Sequence, residues 1–591
     1  MLFVSSISAQ VRYIDEVFTD VDVTSDVVYA DNITVLPALQ GLPPMPSSWA
    51  GMPQGMDIYE PSGDTETDRP LLIYVHTGNF LPPFLNGSAQ GTKSDLHAVE
   101  ICTRFARMGY VVASIDYRLG WNPLAATQAE RTFQLINAAY RGVQDVNTAV
   151  RWWRMNADMG NEYGIDPNKV GLIGDGTGGY ATLAAATIAD YNDIIIDDLG
   201  MPISKFWYDP GDGSSIPMVI EGINGDPEAK YDGYAPDGTQ LCIGHYPDYS
   251  SDVQFNVNLG GALGDLNWLD PGDVPMVTFQ CPHDPFAPYT TGVLIVPTTN
   301  ELVVEVSGGY DIHDEINNYA DPNNNDVYQS ANLDDALSVE AITNGGFDGL
   351  FPVLNSYVDG VPTEPFDSSP WQWWDEAIAQ AYDAANGTNV WATQMTLNPT
   401  MSEEESNYWI DIIQAYTAPR LALGLGVAST GAGCTDEGAC NFNALATEDD
   451  GSCTYADLGY DCDGNSLNIE GCTDALACDF NPAATVDTGC TYLDTETIPT
   501  GVETVWLVSL TLTGTEFEGF AGPCEAMGGV NPNVSINGVI VGDGSTPLTM
   551  AGINDPTGLL GDLVALASEE VAIRSLLPHE IDTYDPYEGE V

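Results

Sequence analysis

The sequence predicts an α/β fold built on a mostly parallel sheet. Short, continuous apolar runs recur along the first 400 or so residues, and amphipathic helical patterns separate them. A strand covered on both faces is apolar at every position, and parallel neighbours need crossover helices between them. Length and composition agree. A chain of 591 residues holds two or three domains, and 44% hydrophobic with 10% aromatic residues supports at least one large core.

Leu71-Leu72-Ile73-Tyr74-Val75 is the first clear strand. A helix follows from Ser94 or Asp95 as N-cap, with Ala98, Ile101, Cys102, Phe105 and Met108 on one face and Gly109 closing it. Tyr110 to Ile115 is the next strand, and a long helix runs from Thr132 to Met155. Val170-Gly171-Leu172-Ile173 is a buried strand leading through a glycine-rich turn into the small-residue helix Tyr180 to Ala189. Val274 to Phe279 and Leu302 to Val306 complete the expected strands, with helices on both faces of the sheet.

Charge excludes several functions. Fifteen Lys+Arg against 86 Asp+Glu leave a formal charge of −71, which repels nucleic acid and anionic membranes. The few lysines suit a surface adapted to salt, where like charges are screened. No stretch reaches the roughly 18 apolar residues of a spanning helix, so membrane insertion is not expected.

Ligand sites in such sheets lie beyond the carboxyl ends of the strands. The residues found there are His76-Thr77-Gly78-Asn79-Phe80, Asp116-Tyr117-Arg118, Gly174-Asp175-Gly176-Thr177-Gly178-Gly179, Pro282-His283-Asp284 and Gly309-Tyr310-Asp311-Ile312-His313. With Tyr163-Gly164-Ile165-Asp166-Pro167-Asn168-Lys169-Val170 leading into the third of these, residues 50–425 resemble the α/β-hydrolase superfamily on its carboxylesterase and lipase side. That resemblance implies a G-x-S-x-G elbow presenting a nucleophilic Ser, followed along the chain by an acid and a His. It places Asp284 at the acid and His313 at the His. His76 to Phe80 becomes the loop whose backbone, around Gly78, binds an oxyanion together with Thr177. Residues 190–255 become a cap.

The departure lies at the centre, where Gly176 stands at the nucleophile position. Glycine accepts the positive φ of an elbow but carries no attacking atom. Losing the nucleophile of a serine hydrolase costs about 10⁶ in turnover, near 8 kcal/mol. Thr177 offers the neighbouring hydroxyl, either as an atypical nucleophile or as a helix cap. The expected function is therefore a catalytically impaired binding or surface module for an ester or other small ligand, with an active carboxylic-ester hydrolase through Thr177, Asp284 and His313 as the alternative. Asp116 and Arg118 are expected to form a structural ion pair. His76, His283 and His313 converge without metal-specific spacing, and the hydrolase region needs no cofactor. Tyr117, Trp121, Trp371, Trp373 and Trp374 are aromatic enough to line a pocket, or to pack.

The remaining regions differ in composition. Residues 428–433 form a small-residue linker, and residues 434–492 hold seven of the 11 cysteines. Gly433-Cys434-Thr435-Asp436 recurs as Gly471-Cys472-Thr473-Asp474, and Ala439-Cys440 recurs as Ala477-Cys478, both 38 residues on. With so little apolar material these repeats must be disulfide-bonded, and their pairing is left open. They resemble short modules of bacterial surface proteins exported by type IX secretion. Asp449, Asp450, Asp461 and Asp463 are candidate calcium ligands. Residues 493–591 form an α+β tail with a strand at Thr504 to Thr513 and a helix at Gly561 to Leu577. Residues 1–9 read as the end of a secretory signal, which implies secretion or cell-surface display, with a surface or matrix partner.

Overall fold

The computed structural model describes residues 11–35 and 50–428, apart from 198, 211, 285, 297–300, 320–322, 334, 355–356, 359–360 and 363–367. Beyond 428 it describes short pieces at 431–436, 439–440, 446–449, 453–455, 470–472, 486–490, 511–512, 534–536 and 539–540. Two compact units divide the chain, Met1–Cys453 and Thr454–Val591.

Eight strands form the central sheet: β1 (Val21–Thr34), β2 (Ala50–Pro61), β3 (Arg69–Val75), β4 (Val111–Ile115), β5 (Ile165–Asp175), β6 (Phe255–Leu259), β7 (Met276–Gln280) and β8 (Leu350–Pro352). Their order is β1-β2-β4-β3-β5-β6-β7-β8. The first two join antiparallel, and every pairing from β4 onward is parallel. The expected mostly parallel α/β sheet is therefore present. β3, β4 and β7 are buried at every residue, as strands covered on both faces must be, with Ser114 of β4 and Thr278 and Gln280 of β7 among the buried residues.

Helices α1 (Leu96–Arg107), α2 (Gln128–Asp158), α3 (Thr177–Thr187), α4 (Gly309–Asn318), α5 (Glu376–Asn386), α6 (Val390–Leu397) and α7 (Glu403–Gly424) surround this sheet. On one face Ala98, Ile101 and Phe105 of α1 and Trp409, Ile413 and Leu421 of α7 pack with Leu72, Val112 and Phe255. On the other, Leu135, Ala138, Val146 and Trp153 of α2 pack with Leu71, Ile73 and Val111. The odd and even residues of each strand thus feed separate cores. Thr127 caps α2 by accepting from the Glu130 N–H, whereas Asp95 occupies the N-cap position of α1 but turns its carboxylate back to the Gly91 and Thr92 N–H groups.

One strand assignment is corrected. Glu301–Val306 is a strand, but it pairs antiparallel with Gly292–Val296 in a separate hairpin. The last strand of the sheet is β8, three residues long and ending in a proline, too short to show a periodicity. β6 escaped for another reason. Phe255-Asn256-Val257-Asn258-Leu259 alternates like a half-exposed strand, yet all five residues are buried. Asn258 is satisfied there by both the N–H and the carbonyl of Gly261.

One disulfide is placed in each repeat. Cys434 bonds Cys453, and Cys472 bonds Cys490. The candidate calcium residues Asp450, Asp461 and Asp463 lie outside the described residues, as do the side chain of Asp449, the helix at 561–577, most of the strand at 504–513, and residues 1–9. Among the described residues no helix is long and apolar enough to cross a membrane.

Candidate active site

The glycine-rich turn joins β5 to α3, with Gly176 as the N-cap at φ 51° and ψ −115°. The Gly176 N–H donates to the Leu259 carbonyl at 2.8 Å, and its own carbonyl accepts from Gly179 N–H at 2.9 Å. Neighbouring glycines are sterically required. A Cβ on Gly178 would run into the Val75 carbonyl, and one on Gly179 would meet Asn258 and lie 3.0 Å from Gly261 Cα. The backbone of a strained strand-to-helix elbow is therefore intact without a side chain at its apex.

Thr77 fills the space in front of that apex. A Cβ built on Gly176 overlaps Thr77 Oγ1 and lies 3.0 Å from Thr77 Cβ. In the same loop Gly78 has φ 126°, and Asn79 and Phe80 also have positive φ. The Asn79 N–H donates to Thr177 Oγ1 at 3.2 Å, and Tyr117 Oη lies 3.4 Å from the same oxygen. Thr177 thus spends its hydroxyl on the loop beside Gly78, so that one backbone donor of that loop is already engaged.

Asp284 lies in the turn after β7, where its carboxylate accepts from Phe286 N–H at 2.7 Å, Ala287 N–H at 2.9 Å and Ser368 Oγ at 2.6 Å. Burial raises its pKa against the pull of these donors. His313 is elsewhere. The residue sits fully buried in α4, with Nε2 3.1 Å from Thr278 Oγ1 and Nδ1 3.4 Å from Asn325 Nδ2. Burial lowers its pKa to about 3. The structure does not bring His313 to Asp284, and the reason is topological. Glu301–Val306 lies outside the sheet, so the segment Gly309 to His313 does not sit at the carboxyl end of a sheet strand. After β8, the true final strand, the chain places Ser368 on Asp284.

Two further expectations change. Arg118 pairs with Asp145, not Asp116, at 2.8 Å and fully buried. Asp116 lies 3.5 Å from His76, which stacks on Tyr117 at 4.5 Å between ring centroids. Although burial opposes the charge, Asp116 raises the His76 pKa, and His76 lowers that of Asp116. His283 is partly buried in the turn after β7. Among the described residues no group of three or more His, Cys, Asp and Glu is placed to hold a metal.

Asp175, just before the elbow apex, forms a polar hub that the sequence did not reveal. Its buried carboxylate accepts from Trp371 Nε1 at 2.8 Å and from Gln372 Nε2 at 2.7 and 3.0 Å, and lies 3.0 Å from His97 Nε2. The segment after β8 is thereby clipped to the elbow. Trp371 belongs to this hub, Trp374 lines the cavity, and Trp121 donates to the Asn79 carbonyl at 2.8 Å. The only signal for the hub was the density of tryptophans between 371 and 374.

These residues bound a polar cavity of about 130 Å³, lined by Thr77, Asn79, Gln90, Gly176, Asp284 and Ser368 among others. Beside it lies an apolar cavity of about 120 Å³, walled by Phe80, Trp121, Leu135, Tyr140, Trp268 and Val306. Asn79, Thr177 and Tyr180 line both. Among the described residues no lysine, arginine or histidine lines either one.

Residues 56–202, which carry the second half of β2, β3 to β5, α1 to α3 and the elbow, match the family model BD-FAE. The domain has an esterase-like α/β-hydrolase fold. Arylacetamide deacetylase of Oryctolagus cuniculus is 32% identical over 130 residues, 22% of this chain and 27% of that protein. The Bos taurus arylacetamide deacetylase is 29% identical over 131 residues, with the same coverage. The hydrolase-fold chain thus spans about a quarter of the length of these curated relatives. Thermogutta terrifontis esterase 2, in its paraoxon-phosphorylated structure, aligns at 18% identity and a TM-score of 0.23, covering 40% of this chain and 69% of that one. Its propionate-bound structure aligns at 16% identity with the same score, covering 40% and 70%. Scores that low add nothing to the strand order of the hydrolase-fold domain.

Proposed function

We propose that this is a non-catalytic member of the carboxylesterase-like α/β-hydrolases, a binding module that holds an uncharged acyl compound intact. The observation that carries the reading is the elbow apex. Gly176 keeps the strained backbone, yet Thr77 occupies the volume of the missing side chain. The name of the curated relatives, arylacetamide deacetylase, points to acyl compounds as the ligand class. The cavities support an uncharged one, because no cationic side chain among the described residues lines them to offset the desolvation of an anion, and the carboxylate that does line one, Asp284, is already engaged by Phe286, Ala287 and Ser368. An apolar group would enter the apolar cavity and a polar head the cavity before Gly176. We read the protein as exported, on the strength of its cysteine-rich repeats and their disulfides.

The alternative, catalysis through Thr177, requires a base. Thr177 Oγ1 instead faces the Asn79 N–H and Tyr117 Oη, and burial holds the Tyr117 phenol well above its ordinary pKa. The test uses the full chain with p-nitrophenyl acetate and a biotinylated fluorophosphonate. The expected result is hydrolysis at the buffer rate and no covalent label. Ester turnover at ordinary esterase rates, lost in Thr177→Val, would establish the alternative instead.

A further inference from the structure

We infer that Thr77 and Gly176 are a matched pair, and that Ser368 stands where a hydrolase of this fold places its catalytic base. The site then meets a ligand with hydroxyls at both catalytic points, and none of His76, His97, His245 and His313 is bonded to either hydroxyl. This inference rests on the non-catalytic reading and assigns the residues responsible for it.

Three strand ends carry the argument. At the end of β5, the Gly176 backbone retains the positive φ and both hydrogen bonds that fix the turn. At the end of β3, Thr77 sends Oγ1 into the volume that any side chain on residue 176 must use. Threonine is β-branched, so it has few rotamers by which to vacate that volume. Each residue therefore permits the other. Beyond β8, Ser368 donates to Asp284 at 2.6 Å across 84 residues of sequence. Acid then base is the chain order of this fold, and Ser368 is the side chain that Asp284 orients. Four of the described imidazoles are committed elsewhere: His76 beside Asp116, His97 to Asp175, His245 to the Asp31 carbonyl and His313 to Thr278. Ser368 is bonded to a carboxylate and to none of these four imidazoles, so the serine–histidine–acid relay of this fold is broken and its hydroxyl serves as a hydrogen-bonding group.

The test is a set of full-chain variants read by melting temperature and by fluorophosphonate labelling. Gly176→Ser alone should melt about 3 °C or more below wild type, because the new side chain collides with Thr77 and takes a strained φ. Adding Thr77→Gly should recover at least half of that loss, a non-additivity that two independent sites would not show. Adding Ser368→His as the third change should raise the labelling rate about tenfold or more over the double variant. In that step the introduced serine oxygen bonds to phosphorus, its proton passes to the introduced imidazole, and the P–F bond breaks to release fluoride. Ser368→His alone should give an imidazole whose pKa, followed by NMR, lies above the ordinary histidine value through Asp284.

Gly176→Ser melting within about 1 °C of wild type, or no recovery with Thr77→Gly, would overturn the matched pair. A folded triple variant labelled no faster than the double would overturn the assignment of Ser368. If the triple variant does not fold, an ordinary or lowered pKa in Ser368→His overturns it equally. Labelling of the wild-type chain is a different result, because it defeats the non-catalytic reading itself.

Discussion

His313 reaches Thr278 and Asn325 inside the packing of α4, and burial by itself lowers its pKa to about 3. The sign of the consequence comes from linkage. An unfolded histidine binds a proton near pH 6.5, while the folded one stays neutral until about pH 3, so between these values the unfolded state holds more protons. Stability is full above that window and falls as pH drops through it, by at most about 1.4 kcal/mol per pH unit. His313→Gln should therefore flatten the acid limb, read as urea melts at pH 7.5 and pH 5. An unchanged acid slope would contradict the buried, neutral imidazole. His76 works with the opposite sign. Asp116 raises its pKa, so its contribution is present below the unfolded value and is lost as pH rises through the folded one.

The segment after β8 is held to the elbow by Asp175, which joins residues 196 positions apart through Trp371. A buried carboxylate with this many donors is costly to remove, because each donor is left unpaired in a dry site. Asp175→Ala should cost about 3–5 kcal/mol of unfolding free energy, and Asp175→Asn less. Chemical denaturation measures both, and a loss under about 1 kcal/mol in Asp175→Ala would mean the hub is solvated. The turn into α3 carries a second expectation at this scale. Gly178→Ala should be poorly tolerated, since its Cβ would collide with the Val75 carbonyl, a backbone atom that cannot rotate away. A soluble Gly178→Ala protein with a wild-type melting temperature would show that β3 and α3 can separate at small cost.

At the scale of the molecule, charge and covalent links dominate. A formal charge of −71 makes the compact state self-repelling, and salt shortens the Debye length from ~10 Å at 0.1 M to ~3 Å at 1 M. The melting temperature should rise between low salt and 1 M NaCl, while an equal osmolality of sucrose should raise it less. A flat response would mean the acidic side chains are already neutralised or widely separated. Reduction should act locally. Cys434–Cys453 spans 19 residues and Cys472–Cys490 spans 18, loops whose closure is worth about 3 kcal/mol each. The thiols of Cys102 and Cys242 are buried, and burial raises their pKa values. Reductant should therefore expose residues 434–490 to protease while the hydrolase-fold domain keeps its melting transition. Loss of both together would show that the repeats support the domain.

Local sequence determined the elements whose signals are local. The short strands β3, β4, β5 and β7, the amphipathic α1 and the glycine elbow with its empty apex were all legible, because periodicity and turn glycines act within a few residues. The repeat was legible too, since self-similarity needs no fold. Tertiary structure decided the rest. β8 is three residues long and β6 hides two buried asparagines, so neither announces itself, and missing β8 moved the expected histidine from the end of the sheet to a buried helix. The partners of Asp284, Asp175 and Arg118 were equally invisible. A carboxylate accepts from whatever donor the fold delivers, and Ser368 arrives from 84 residues away and Trp371 from 196. Thr77 shows the same limit in steric form. In sequence it is one residue of the loop from His76 to Phe80, and only the approach of β3 to β5 places its hydroxyl in the volume that Gly176 leaves open.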